Sequence, residues 1–196
     1  MNQRLMNKIP NILTCIRLAL VPVFLILTFF CQSENHIIWA LIVFIIASIT
    51  DFLDGYLARK WKVISDFGKI ADPLADKLIV LSALAALTFL PPFKLFVLIF
   101  IIIAIREIGI TILREVRKKQ GIVMPADKLG KWKTALQMIG IILALFLWAW
   151  FPDIASTSII RLVANIWFAI VALLTVYSGL NYLQTIQKTS LKGDEQ

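Results

Sequence analysis

Residues 51–76 read DFLDGYLARKWKVISDFGKIADPLAD. Apolar runs flank this stretch on both sides, yet inside it, besides Asp66, stand Asp51, Asp54, Asp72 and Asp76 at spacings of three, eighteen and four. Asp51 and Asp54 therefore share one face of a helix, and Asp72 and Asp76 share one face of another. A short connection between the two helices lets both pairs point at one place.

The 196 residues are 60% hydrophobic and 16% charged, with a mean hydropathy of +0.85. A soluble domain is roughly 45–50% apolar, so the composition is that of an integral membrane protein, with no room for a second large soluble domain. The net charge of +8 suits anionic membrane surfaces or phosphate-bearing ligands. The basic residues sit in short loops between apolar runs, which excludes nucleic acid as a partner. Cys15 and Cys31, if on one helix, lie about 24 Å apart at about 1.5 Å per residue and cannot form a disulfide. No small-residue cleavage site follows the first apolar stretch, which reads as a retained span and not as a removed signal peptide.

Uncharged runs define six candidate spans, at 18–33, 35–50, 78–93, 95–105, 134–152 and 162–187. Several fall short of the roughly 20 residues a helix needs to cross hydrocarbon, and each extends past its charged end. The second runs through Asp51 towards Ala58, and the fourth through Arg106 and Glu107 towards Leu113. Period-2 alternation is missing, which argues against a β-barrel. The expected fold is all-α: a bundle of six transmembrane helices over residues 1–187, then a polar tail, read as disordered, over 188–196. Six spans put both termini on one side, and that side holds eighteen of the twenty Lys and Arg, leaving Lys94 and Arg161 opposite. The positive-inside rule makes the richer side cytoplasmic, so both termini and the active site are expected at the cytoplasmic face. Trp39, Trp148 and Trp150 are expected near the outer interface, and Trp61 and Trp132 near the inner one.

Four carboxylates at the edge of a low-dielectric region repel one another. Hard divalent cations with oxygen ligands would relieve that repulsion, and two such cations make a site for phosphate or pyrophosphate chemistry. Singly, each aspartate has a structural reading: Asp72 before Pro73 is a helix start, with Asp as N-cap, and Asp51 marks a helix end near water. As a set they do not, because Asp51 and Asp54 lie near the negative end of a helix dipole, where anions are disfavoured. Asp66, Asp127, Asp153 and Asp194 are isolated and read as loop residues. Gly55 sits inside a helix, where it costs about 1 kcal/mol against Ala. With Ala58 it allows close approach of a ligand or a neighbouring helix. Arg59 is placed to pair with an aspartate or to hold a phosphate by bidentate bonds. A divalent-cation transporter is an alternative, but its carboxylates would lie nearer the bilayer midplane, and Gly55, Arg59 and Gly68 would have no purpose at fixed spacing.

A second basic region begins at Arg106, after eleven uncharged residues and beside Glu107. Ionisable residues at that depth point to function. Lys131 and Lys133 open the fifth span, and a phosphate-bearing ligand would need such cations. Arg117, Lys118 and Lys119 read as the positive-inside signal and as contacts to anionic membrane lipids.

Written as Asp51-x2-Asp54-Gly55-x2-Ala58-Arg59-x8-Gly68-x3-Asp72-x3-Asp76, the opening stretch resembles the signature of the CDP-alcohol phosphotransferase family at all eight fixed positions. The resemblance extends over most of the chain. It implies transfer of a phosphatidyl or similar group from a CDP-linked donor to an alcohol, with release of CMP. It further implies that Asp51, Asp54, Asp72 and Asp76 bind two Mg²⁺ or Mn²⁺ ions and that Asp76 is the general base. Gly55, Ala58, Arg59, Ser65 and Gly68, with Asn11 and Thr14 of the segment Pro10-Asn11-Ile12-Leu13-Thr14, match the family's donor site for CDP-diacylglycerol. The segments around Arg106-Glu107 and Gly130-Lys131-Trp132-Lys133, and that from Ile9 to Arg17, resemble the branch of the family that makes phosphatidylglycerophosphate in bacteria. That implies sn-glycerol 3-phosphate as acceptor, its phosphate held by Arg106, Lys131 and Lys133 with help from Arg17 and Arg114, in the inner (cytoplasmic) membrane of a bacterium. Relatives that use other acceptors, the cardiolipin synthases among them, share the central signature. Family members tend to be homodimers.

Overall fold

Six long helices follow one another in a computed structural model of the chain: α1 Ile9–Leu25, α2 His36–Trp61, α3 Asp66–Phe89, α4 Val97–Lys119, α5 Lys128–Trp150 and, after the short α6 at Pro152–Ala155, α7 Ser158–Gly193. Residues 9–61, 66–119 and 128–193 are described; within them the side chains of 9–11, 52, 54–61, 66–73, 118–119, 128–129, 131 and 185–193 lie outside the description. The described residues contain no strand, as the all-α expectation requires.

The bundle is apolar outside and carries polar groups inside. Phe30, Phe96, Ile105, Ile159 and Leu173 are among its most exposed residues. Phe24, Phe44, Leu84, Leu87, Ile103, Ile141, Leu145 and Phe168 form the core, and Arg17, Glu107, Lys133, Gln137, Asn165 and Thr175 are buried with them. Hydrocarbon as solvent favours this distribution, because charged and hydrogen-bonding groups then find partners only within the protein. α1 packs on α2 and α3, α5 on α2 and α7, and α4 between α3 and α7.

Among the described residues three helices are long and apolar enough to cross a membrane: Ile12–Phe30, Trp132–Trp150 and Ser158–Gln184. His36–Asp51 is a shorter apolar helix. The remaining long helices differ for a physical reason, since α3 and α4 carry Asp76–Lys77 and Arg106–Glu107 within them. Charged residues there interrupt the apolar run that a simple span presents. From Trp132 to Trp150 a helix rises about 27 Å at 1.5 Å per residue, close to the hydrocarbon thickness of roughly 30 Å.

Helix ends depart from the sequence reading in several places. α2 continues past Ala58 to Trp61, and α4 past Leu113 to Lys119. α3 starts at Asp66 and not at Asp72, so Asp66 is helical and Pro73 lies inside the helix. A proline there removes one i to i−4 bond, and the helix runs on through it. α7 carries the backbone past residue 187 to Gly193, so 188–193 is helical where a disordered tail was expected, and Asp153 lies in α6. α1 contains Pro22 and passes into a π-helical turn at Ile26–Phe30. There Thr28 Oγ1 donates to the Phe24 carbonyl at 2.9 Å, a side-chain bond that competes with the regular ladder. Cys15 and Cys31 are both free thiols.

α7 fixes its neighbours through specific contacts. Arg161 Nε donates to the Pro92 carbonyl at 2.7 Å, and Asn165 Oδ1 accepts from the Phe96 N–H at 2.9 Å. The α3–α4 connection is thereby held from the last helix. Gly140 of α5 meets Trp167 of α7, and a Cβ at that position would collide with the indole. Trp167 Nε1 donates to the Leu136 carbonyl at 3.2 Å. This close approach sets the α5–α7 register and brings Gly130 opposite Ser178.

Candidate functional site

Two groups of charged residues stand within this frame. The first lies where α1 meets α2. Arg17 is completely buried, and its Nη1 lies 2.8 Å from Asp51 Oδ1. Asp51 is itself 47% exposed, so its carboxylate has a face open beyond the arginine. Thr14, one turn before Arg17, is buried as well. Asp54, Gly55, Ala58 and Arg59 continue along α2, and Gly68 and Asp72 lie on α3. Their side chains, with that of Asn11 on α1, lie outside the description, and Ser65 lies outside the described residues. Among the described residues no group of three or more His, Cys, Asp or Glu could hold a metal. Asp51 and Asp76, the two signature aspartates with described side chains, belong to different helices and are both partly accessible.

The second group surrounds a cavity of about 450 Å³ lined by Lys77, Arg106, Glu107, Arg114, Lys133 and Tyr182 among others. Its centre is Glu107, a buried carboxylate. Lys133 Nζ donates to Glu107 Oε1. Lys77 Nζ lies 2.7 Å from Glu107 Oε2 and 3.3 Å from Asp76 Oδ2. Arg106 Nη1 stands 3.6 Å from Glu107 Oε1. The rest of the Arg106 guanidinium is fixed by α7, with Nε on the Thr175 carbonyl at 3.1 Å and Nη2 on Ser178 Oγ at 2.9 Å. Arg114 lies over the Tyr182 ring at 5.6 Å from its centroid, a cation–π contact. Among the described residues, four cations, Lys77, Arg106, Arg114 and Lys133, thus line the cavity against one anion, Glu107. Such an excess favours a compact polyanion of the phosphate type.

Three of the five cations expected at an acceptor phosphate, Arg106, Arg114 and Lys133, line this one cavity. Lys131 lies on the same helix turn as Lys133, its side chain outside the description. Arg17 does not line the cavity but is buried against Asp51, because its position on α1 faces α2. Lys77, Glu107, Ser178 and Tyr182 complete the site and were not singled out from sequence as functional. Thr175, Ser178 and Tyr182 do leave a signal, a polar stripe at helical spacing on an otherwise apolar helix. Lys77 passed as one more cytoplasmic charge.

The CDP-alcohol phosphatidyltransferase family model matches residues 7–177. A Haemophilus influenzae protein named CDP-diacylglycerol–glycerol-3-phosphate 3-phosphatidyltransferase is 37% identical over 186 residues, which cover 94% of this chain and 95% of that one. A Rickettsia bellii protein of the same name is 35% identical over 182 residues, 93% and 97% of the two chains. A third of that name, from Mycoplasma pneumoniae, is 44% identical over 108 residues, where the match spans about half the relative, 47% of its length.

Proposed function

This chain belongs to the CDP-alcohol phosphatidyltransferase family, and from that premise we propose that it transfers the phosphatidyl group of CDP-diacylglycerol to sn-glycerol 3-phosphate, giving phosphatidylglycerophosphate and CMP. The observation that carries the choice of acceptor is the cavity in which Lys77, Arg106, Arg114 and Lys133 oppose the single carboxylate of Glu107. A phosphate monoester brings about two negative charges at neutral pH and offsets most of that excess. An acceptor without a phosphate would leave it in place, at the cost that attends partly buried charge. Full-length similarity to relatives named for this reaction supports the same reading.

In this reading Asp51, Asp54, Asp72 and Asp76 hold the metal. Carboxylates are hard oxygen donors of the kind Mg²⁺ and Mn²⁺ take, and although Arg17 stands on Asp51 and Lys77 beside Asp76, both carboxylates stay partly accessible, so the donor set suits such ions. Two bound ions would neutralise the pyrophosphate as CMP departs. Arg17 acts through Asp51, whose carboxylate it holds in place. The donor lies along Asn11, Thr14, Gly55, Ala58, Arg59, Ser65 and Gly68, with its acyl chains in the bilayer. Lys133, Arg106 and Arg114, with Lys131, bind the acceptor phosphate. The acceptor hydroxyl then bonds to the phosphorus that bears diacylglycerol, Asp76 takes the hydroxyl proton, and the bond to CMP breaks with its electron pair. Lys77, in contact with both Asp76 and Glu107, links the base to the acceptor cavity.

The six-span topology, over residues 1–187 with both termini cytoplasmic and 188–196 as a polar cytoplasmic extension, is part of the proposal. So is a place in the inner membrane of a bacterium. Eighteen Lys and Arg on one side support it, as do the apolar exteriors of the helices. The homodimer rests on the family resemblance alone. The test is to reconstitute the protein in liposomes with CDP-diacylglycerol and to follow CMP release and Mn²⁺ flux together. Metal-dependent CMP release on adding glycerol 3-phosphate is expected. Mn²⁺ flux with no CMP release would assign the carboxylates to transport and overturn the proposal.

A further inference from the structure

Glu107 is the only acidic residue among the described residues that line the cation-rich cavity. An anion beside a phosphate site repels the ligand it faces, so its presence there requires a reason. Its two oxygens are each occupied by an ammonium group from a different helix, Oε1 by Lys133 of α5 and Oε2 by Lys77 of α3. Arg106, next to it on α4, reaches Oε1 only at 3.6 Å through Nη1 and is tied to α7 through Thr175 and Ser178.

Lysine is a flexible stem with a point charge, and holding it in one place costs rotamer entropy, about 2 kcal/mol for the whole side chain. A lysine already held in position has met that cost before the ligand arrives. Each ammonium has three donors; Lys133 gives one to Glu107, and Lys77 gives one to Glu107 and one towards Asp76, which leaves each with at least one donor for a further oxyanion. Two ammonium groups gathered on one carboxylate also stand close enough together to serve one phosphate.

We propose that Glu107 is a positioning residue of the acceptor site, holding Lys77 and Lys133 as a preset pair whose remaining donors receive the acceptor's phosphate, and that Lys77 is thereby a phosphate ligand in its own right. The proposal rests on the reading that a phosphorylated alcohol enters this cavity. It makes Lys77 the point at which the acceptor phosphate and Asp76 are connected.

The test uses the full chain in detergent, with glycerol 3-phosphate binding measured by calorimetry and KM by CMP release. Glu107→Gln should raise Kd and KM for glycerol 3-phosphate about tenfold or more, since losing the tether frees both lysines. The KM for CDP-diacylglycerol should stay unchanged, which general damage to the fold would not allow. Lys77→Met should raise the same Kd, and the double variant should fall short of the product of the two single effects, because the residues act as one unit. Should Glu107→Gln fail to fold, Lys77→Met decides alone, its lysine being 25% exposed and not central to packing. An unaltered Kd for glycerol 3-phosphate in Glu107→Gln, or in Lys77→Met where only that variant folds, or strictly multiplicative effects in the pair, would overturn the inference. The acceptor reading fails differently: the unmodified protein would then neither bind nor use glycerol 3-phosphate, and the inference would fall with it.

Discussion

Replacing Lys133 by methionine removes one cation from the cavity proposed to take the acceptor phosphate, while keeping much of the side chain's volume. Lys133 is 2% exposed and donates to Glu107. Breaking a buried ion pair by removing one partner costs about 3–5 kcal/mol when the other charge is left alone. Here it is not left alone, because Glu107 keeps Lys77 at 2.7 Å and Arg106 at 3.6 Å. The fold should therefore survive, and the loss should appear in binding. A hydrogen bond to a charged group contributes about 1.5–3 kcal/mol. At about 1.4 kcal/mol per factor of ten, the KM for glycerol 3-phosphate should rise roughly 10- to 100-fold. The KM for CDP-diacylglycerol should not move, since the donor is read as lying along α1, α2 and the start of α3. CMP release at saturating donor, with glycerol 3-phosphate varied, measures both constants. An unchanged KM for glycerol 3-phosphate in folded Lys133→Met would refute the assignment of this cavity to the acceptor phosphate.

Further outcomes follow from the same geometry. Asp76→Asn should abolish turnover and retain CDP-diacylglycerol binding, checked by single-turnover CMP release beside donor titration; near-normal turnover would remove Asp76 as the base. Chelation of divalent ions should stop CMP release and added Mg²⁺ or Mn²⁺ should restore it, with Asp51→Asn requiring more metal for half-maximal rate. Gly140→Leu should destabilise the bundle by about 1–3 kcal/mol, the range for overpacking, because the added side chain displaces Trp167; denaturant unfolding in micelles would show it as a lower midpoint with an unchanged slope.

Much of the helix content was legible because hydrocarbon imposes a simple pattern. Uncharged runs marked the cores of all six long helices, and charged residues inside α2 and α4 did not stop those helices, as the extensions through Asp51 and Arg106 required. Helix ends were less legible. Asp72-Pro73 has the composition of a helix start, but α3 is already formed at Asp66, and local propensity cannot say which of two adjacent starts wins. The spacing of the four aspartates is legible without tertiary information, because acids at i, i+3 and i, i+4 share a helix face. The cation-lined cavity is only half legible. Arg106 and Lys133 are conspicuous as charges at apolar depth, but Glu107 as their shared partner depends on how α3, α4 and α5 meet. Thr175 and Ser178 reach Arg106 across 69 and 72 residues of chain, a register that also shows in the close approach of Gly179 to Arg106. Arg17 depends on packing in the same way: its segment names it as a helper at the phosphate, and the meeting of α1 and α2 places it beside Asp51.

One experiment weighs most heavily on this reading. The purified protein is given CDP-diacylglycerol and Mg²⁺ or Mn²⁺, with glycerol 3-phosphate, phosphatidylglycerol, serine and inositol phosphate offered separately, and both CMP and the lipid product are identified. CMP and phosphatidylglycerophosphate formed with glycerol 3-phosphate alone is the expected result. CMP release with phosphatidylglycerol or serine, and none with glycerol 3-phosphate, would contradict the assignment of the Lys77, Arg106, Arg114 and Lys133 cavity to an acceptor phosphate.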